Sequence, residues 1–282
     1  MKCLVTGVKG QLGYDIVKRL KMQGHEDILA LDYTEMDITN KEQVKEVITN
    51  YKPDVIFHCA AWTQVDKAED EMYKCRDVNV NGTNNIAEVA KEIGSKMIYI
   101  STDYVFDGTK EGLYEVDDRP NPKSVYGETK YLGEEAVRKN LLEHFIVRIS
   151  WVFGINGNNF IKTMLRLAET KRELNVVDDQ IGSPTYTEDL AKLLVTMSET
   201  EKYGTYHATN EGFCSWAQFA EYIFSESNNN ILVNKITSEE YPQKAYRPKN
   251  SRMSKESLDK AGFERLPNWQ DAVKRYIKEL KK

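Results

Sequence analysis

The sequence predicts an α/β protein: a doubly wound parallel sheet (Rossmann-type) followed by a smaller C-terminal lobe. Three observations predict it. Short apolar runs alternate with helical-period segments through the first 150 residues. A glycine-rich turn, "TGVKGQLG", joins the first run to the first helical segment. Past about Trp151 the alternation loosens, as it does where a second lobe begins.

The elements follow in order. "CLVTG" reads as a buried strand, and Leu12, Ile16, Val17 and Leu20 then recur at helical spacing until Gly24. "DILALD" is the second strand. Thr39 with Glu42 reads as a capping box opening a helix that carries Val44, Val47 and Ile48 on one face. "DVIFHCAA" is nearly all apolar, as a strand covered on both faces must be. A helix through Ile86, Val89, Ala90 and Ile93 stops at Gly94. "KMIYIS", the segment around Tyr126, and "HFIVRIS" supply a strand, a helix and a strand. Beyond Trp151, "GNNFIKTMLRLAET" and "SWAQFAEYIF" read as helices, and "LNVVDDQIGSPT" and "YGTYHATN" as strand-bearing stretches. The last 40 or so residues carry more polar loop, with Pro242, Pro248 and Pro267 interrupting any long element. Residues 1–150 are therefore expected to form a dinucleotide-binding domain with returning segments within 174–210. Residues 151–282 are expected to form a discontinuous substrate-binding lobe.

Composition narrows the class. The chain has 282 residues, 40% hydrophobic and 29% charged, in the range of soluble globular proteins. A formal net charge of −5 offers no basic surface for nucleic acid or acidic lipid. No apolar run approaches about 18 residues, so no membrane span is expected. The first strand starts too early for a signal peptide, which points to the cytoplasm. The four cysteines have no C-x-x-C spacing and the four histidines no ligand spacing, so free thiols and no His/Cys metal site are expected.

Two patterns carry chemistry. Gly7, Gly10 and Gly13 lie between the first strand and helix, where backbone N–H groups can approach a pyrophosphate at the positive helix end. Asp32 ends the second strand, placed to accept both ribose hydroxyls of an adenosine. Asp32 repels a 2′-phosphate, which favours NADH, whereas Lys9 within the turn is able to reach one. Use of either NADH or NADPH follows. The second pattern is "SVYGETKYLGEE", with Tyr126 and Lys130 four apart on one helix face. On an open surface that pair adds only about 0.2–0.5 kcal/mol. Bringing a phenol from about 10 to about 7 takes about 4 kcal/mol. A cation about 4 Å away supplies that only at a protein-like dielectric near 20. The pair is chemistry only inside a cleft.

The glycine turn with "YGETK" resembles the extended short-chain dehydrogenase/reductase family. Further stretches narrow the resemblance: "MDITN", "HCAAWTQVDKAE", "STDYVFDG", "SWVFG", "GNNFIKTM" and "DDQIGSPT" are similar to the dTDP-4-dehydrorhamnose reductases over nearly the whole chain. The resemblance implies NAD(P)H-dependent reduction of the C4 keto group of dTDP-4-dehydro-L-rhamnose. It makes Tyr126 the proton donor, with Lys130 lowering its pKa and binding the nicotinamide ribose, and Thr102 hydrogen-bonding the carbonyl. It implies a cofactor site of Gly7, Gly10, Gln11, Leu12, Gly13, Asp32, Asp37, Ile38, Ala60, Ala61, Trp62, Thr63, Tyr126 and Lys130. Asp37 and Ile38 would flank the adenine just past a strand-like "EMDI". Thr102, Asp103, Val105, Trp151, Asn159 and Arg247 are the implied substrate residues, Arg247 through the diphosphate. Some members carry magnesium between subunits; Asp15 and Glu188 are the candidates here, although the residues themselves demand no metal. The expected partner is a nucleotide-linked deoxysugar, and the chain a monomer or homodimer. Two other readings stay open: a nucleotide-sugar epimerase or 4,6-dehydratase, and a non-catalytic subunit like the regulatory subunit of methionine adenosyltransferase. Those dehydratases carry an Asp–Glu pair after the threonine; here Asp103 is followed by Tyr104.

Overall fold

Apolar runs with no polar face can only be covered on both sides, and that is how the central strands sit. In the computed structural model, which describes residues 1–281, β1 (Cys3–Thr6) is buried along its whole length. It leads through the glycine turn into α1 (Gln11–Met22), then β2 (Ile28–Leu31), α2 (Lys41–Tyr51) and β3 (Val55–His58). Two short helices, α3 (Val65–Ala68) and α4 (Met72–Arg76), run through a π-helical turn at Asp77–Gly82 into α5 (Thr83–Ile93). Next come β4 (Lys96–Thr102), α6 (Val125–Asn140), β5 (His144–Ile149), β6 (Val152–Phe153) and α7 (Phe160–Ala168). The chain continues as β7 (Glu173–Val177), β8 (Ile181–Gly182), β9 (Thr185–Tyr186), α8 (Thr187–Ser198) and β10 (Gly204–His207). It closes with β11 (Asn210–Glu211), β12 (Cys214–Ser215), α9 (Trp216–Ser227), β13 (Leu232–Ile236), α10 (Glu256–Ala261), β14 (Leu266–Asn268) and α11 (Trp269–Leu280).

Six strands form one parallel sheet in the order β10-β5-β4-β3-β1-β2. The order reverses between β1 and β3, and a crevice opens at the strand carboxyl ends there. On one face α1 and α8 pack through Leu12, Ile16, Leu20, Leu190 and Leu194. On the other, α2, α5 and α6 pack through Val44, Ile48, Ile86, Ala90 and Val137. A second core joins α7, α9 and α11 through Ile161, Phe219, Ile223, Trp269, Val273 and Tyr276, beside the parallel pair β7–β13. Residues 187–207 thus return to the first sheet.

Three local expectations are corrected. The cap of α2 is Asn40, whose side chain accepts from Gln43 N, while Thr39 bonds back to Asp37. One residue's shift places the better cap at the turn. "EMDI" is a tight turn, not a strand: the N–H groups of Glu35 and Met36 both bond to Asp32 O. The last 40 residues hold α11, because Pro267 precedes the helix, Asn268 caps it, and Trp269, Ala272, Val273, Tyr276 and Ile277 line one buried stripe.

Candidate active site

The glycine turn is shaped by close approach. Gly7 has φ +69°, and a Cβ there would lie 2.8 Å from Ala60 N. A Cβ on Gly13 would lie 2.4 Å from Gly7 O, so strand, turn and helix pack backbone to backbone. The turn opens into a cleft of about 770 Å³. Its walls include Gly7, Gly10, Gln11, Leu12, Gly13, Asp32, Asp37, Ile38, Ala60, Ala61, Trp62 and Thr63. The same cleft is lined by Thr102, Asp103, Tyr126, Lys130 and Trp151.

Several contacts hold this wall. Asn79, on the inner face of the π-helical turn, accepts from Trp62 N at 2.8 Å and donates to Trp62 O and Thr129 Oγ1. It therefore ties the cleft wall to the residue beside Lys130. Gln11 turns its side chain the other way: its Oε1 accepts from Gly154 N at 2.8 Å and from Asn159 at 3.0 Å. Asn156 bonds to Lys9 O at 2.7 Å, so the second lobe clasps the glycine turn. Asp37 spends its carboxylate on Thr39 N and Oγ1. Asp32 pairs with the Lys9 ammonium at 3.3 Å.

Helix α6 delivers Tyr126 and Lys130. Ser124 caps it through Gly127 N, and Glu69 accepts from Val125 N. A Cβ at Gly127 would stand 2.2 Å from Tyr104 O, which explains the glycine inside "YGETK". Tyr126 is half-buried, its ring edge-on to Tyr104 at 5.5 Å between centroids. Burial pushes its phenol above the ordinary range; a hydrogen bond with Thr102 opposes this, and the Asp103 carboxyl reinforces it. Desolvation outweighs the lowering contributions, so the phenol stays above its ordinary value with Lys130 four residues along the same helix. Burial discourages the Lys130 ammonium itself, down to about 7, with Glu134 opposing. Lys130 Nζ stands 4.1 Å from the centre of the Tyr99 ring, a cation–π seat. Thr102 Oγ1 donates to Asp103 Oδ1 at 2.9 Å.

Trp151 has φ +48° and stacks on Trp216 at 3.8 Å, so one face supports the second lobe while the residue lines the cleft. Three expected substrate residues stand elsewhere. Val105 is fully buried against Phe106, Tyr114 and Met253. Asn159 caps α7 and bonds to Tyr276, a structural use that follows from its place before the helix. Arg247 pairs with Asp66 at 2.6 Å and donates to Tyr104 at 3.2 Å, outside the cleft wall. Asn79, Tyr104 and Glu134 were missed by sequence reasoning; Asn79 and Glu134 are marked only as buried polar residues in helical segments, and Tyr104, half-buried in the turn after β4, carries no local signal.

All four cysteines are free, and Cys59 is half-buried at the cleft. Among the described residues no group of three or more His, Cys, Asp or Glu side chains is placed to hold a metal. Asp15 is buried and accepts from Thr187 at 2.5 Å, while Glu188 accepts from Tyr186 and faces Lys18 at 3.8 Å. Within one chain both acids are held by protein partners. Among the described residues no helix is long and apolar enough to cross a membrane.

Comparison with known proteins agrees with the motifs. The family model of the RmlD substrate binding domain matches residues 1–282. The spore coat polysaccharide biosynthesis protein SpsK of Bacillus subtilis (strain 168) is 42% identical, over 99% of this chain and 97% of its own. The dTDP-4-dehydrorhamnose reductase of Aggregatibacter actinomycetemcomitans is 44% identical, over 97% of each. The crystal structure of dTDP-4-dehydrorhamnose reductase from Bacillus anthracis str. Ames in complex with NADP superposes with a TM-score of 0.96 at 41% identity, covering 99% of this chain and 100% of that one. With a matching family model along its full length and relatives above 40% identity, the chain belongs to the dTDP-4-dehydrorhamnose reductase family.

Proposed function

We propose that the protein reduces the C4 keto group of dTDP-4-dehydro-L-rhamnose to dTDP-L-rhamnose with NADH or NADPH. The observation that carries this reading is the convergence of Thr102, Tyr126, Lys130 and the glycine turn on one cleft, in a chain whose family is named for the reaction. The residues fit a dinucleotide: three close-packed glycines leave α1's N-terminal amides open to a pyrophosphate, and Asp32 stands at the ribose position. Lys9 pairs with Asp32, which supports acceptance of NADPH beside NADH, and the Bacillus anthracis relative binds NADP.

The bound nicotinamide supplies hydride. Tyr126 keeps its proton in the cleft and releases it only to the stronger base, the alkoxide formed at C4. Thr102 fixes the carbonyl oxygen beside the phenol, and Lys130 holds the nicotinamide ribose. Trp151 and Asp103 border the sugar. Asp37 and Ile38 border the adenine. Arg247, at the mouth through Tyr104, exchanges Asp66 for the substrate diphosphate. We read residues 1–150 with the returning α8 and β10 as the dinucleotide-binding domain, and the remainder of 151–282 as the substrate-binding lobe. A cytoplasmic monomer or homodimer completes the proposal.

Absorbance at the nicotinamide band with a panel of nucleotide-linked keto sugars tests it. Oxidation with dTDP-4-dehydro-L-rhamnose, lost by about 10²–10⁴-fold in Tyr126→Phe, is the expected result. Retained NAD with sugar interconversion and no net oxidation would make the protein an epimerase. No turnover together with a co-purifying enzyme would make it a regulatory subunit.

A further inference from the structure

Helix α6 carries a glycine at its middle, Gly133 in "YGETKYLGEE", where helix propensity gives no reason for one. Tyr99 of β4 accounts for it: a Cβ at Gly133 would stand 2.2 Å from the Tyr99 hydroxyl oxygen. That hydroxyl donates to Lys130 O at 3.2 Å, and the centre of the same ring lies 4.1 Å from Lys130 Nζ. Tyr99 is fully buried, so it grips both the backbone and the ammonium of one lysine from inside the sheet.

The titratable groups facing Lys130 offer no free anion. Glu134, one turn on in α6, favours the lysine's charge, yet its carboxylate is committed to Ser101, Arg138 and Arg148. Burial pushes the Cys59 thiol after β3 up to about 12 and raises that of Cys75 in α4, so both stay neutral. His58 of β3, set between Thr6 and Thr83, is pushed down to about 3 and is neutral too. Tyr126, one turn back, keeps its proton. Among the described residues Lys130 Nζ has no carboxylate within ion-pair distance and no hydrogen bond to a protein acceptor. A carboxylate would hold this cation by taking up its N–H donors. An aromatic face attracts the charge and leaves all three donors free.

We propose that Tyr99 is a positioning residue for the cofactor: its ring keeps the Lys130 ammonium charged and seated while leaving its donors to the nicotinamide ribose. What the ammonium binds rests on the reading given under the proposed function. Without the ring, burial depresses the Lys130 pKa further below its present value of about 7, because no anion replaces the lost attraction. The charged form binds, so affinity is held below that pKa and lost as pH rises through it. Removing the ring therefore moves the midpoint of the loss to lower pH. For a desolvated cation–π contact the shift is about one pH unit.

Calorimetric titration with NADH from about pH 5 to about pH 9 reads this shift without any sugar substrate. Wild type and Tyr99→Phe, which both keep an aromatic face, are expected to share one midpoint of lost affinity. Tyr99→Leu is expected to lose affinity about one pH unit earlier. Lys130→Met should lack that midpoint, and it shows what Asp103, lifted to about 6 in the same cleft, contributes by itself. A midpoint unmoved in Tyr99→Leu, with affinity lowered equally at every pH, makes Tyr99 a packing residue and overturns the proposal. If Tyr99→Leu does not fold, 3,4,5-trifluorophenylalanine in place of Tyr99 weakens the ring face at nearly constant volume. A midpoint there equal to that of Tyr99→Phe overturns the proposal as well. A wild type with the expected binding profile that oxidises no NADH with dTDP-4-dehydro-L-rhamnose removes the reductase reading and leaves the seat standing.

Discussion

Two buried cations serve the same helix and are treated oppositely. Arg148, on β5, is fully buried and grips Glu134 of α6 with two bonds, at 2.9 and 2.8 Å, while Ser101 and Arg138 bond the same carboxylate. Burial pushes Glu134 up, but the Arg148 guanidinium more than compensates and holds it below the ordinary carboxylate range. Lys130, one turn earlier on α6, is 3% exposed and has no carboxylate within ion-pair distance among the described residues. Burying a charge without a partner is costly, and folding alone gives no reason to keep it. The paired cation belongs to the architecture, and the unpaired one is the group we propose for the chemistry. A cleft that keeps a discouraged ammonium beside a strongly protonated phenol is organised for a ligand that brings the missing charges and hydroxyls.

Breaking the paired site has the largest effect expected. Glu134→Ala leaves Arg148 buried and uncompensated, and urea unfolding would register a loss of about 3–5 kcal/mol. Replacing both members by methionine recovers most of it; a double variant as unstable as the single one would contradict the comparison. The unpaired site behaves in reverse. Lys130→Met is expected to lose about 10²–10⁴-fold in kcat while melting no lower than wild type at pH 7. The sign follows from linkage: the folded-state pKa, about 7, lies below the unfolded value of 10.5. Between these limits the unfolded chain binds more protons, so wild-type stability rises with pH from about 7 to about 10, and the methionine variant lacks that rise. Thermal melts across this range decide it.

Smaller effects lie further from α6. Lys9→Ala removes an exposed cation beside Asp32, and the ratio of kcat/KM for NADPH to that for NADH should fall about tenfold, as Asp32 is left to repel the 2′-phosphate. Trp216→Leu removes the stack under Trp151, worth about 0.5–1.5 kcal/mol, and KM for the sugar nucleotide should rise by no more than about tenfold at unchanged kcat. A fall in kcat as large as that of Tyr126→Phe would place Trp151 in the chemistry itself.

Local rules sufficed for the sheet, the glycine turn and the strand-end threonine, because each is written in neighbouring residues: buried strands in unbroken apolar runs, close approach in glycine, and the Tyr126–Lys130 face in a spacing of four. Even the helix α11 was legible in the stripe from Trp269 to Ile277, once Pro267 is read as a starting signal rather than a break. What the chain order does not encode is which distant polar groups meet. Gln11 and Asn159 lie 148 residues apart and bond to each other; Asn79 reaches both Trp62 and Thr129; Asp66 captures Arg247. Such pairings depend on how two cores dock, and so does the dielectric around Tyr126. The sequence by itself determined the elements and the chemical groups. Only the tertiary structure decided that burial raises the phenol's pKa and depresses the ammonium's, because desolvation is a property of the assembled cleft.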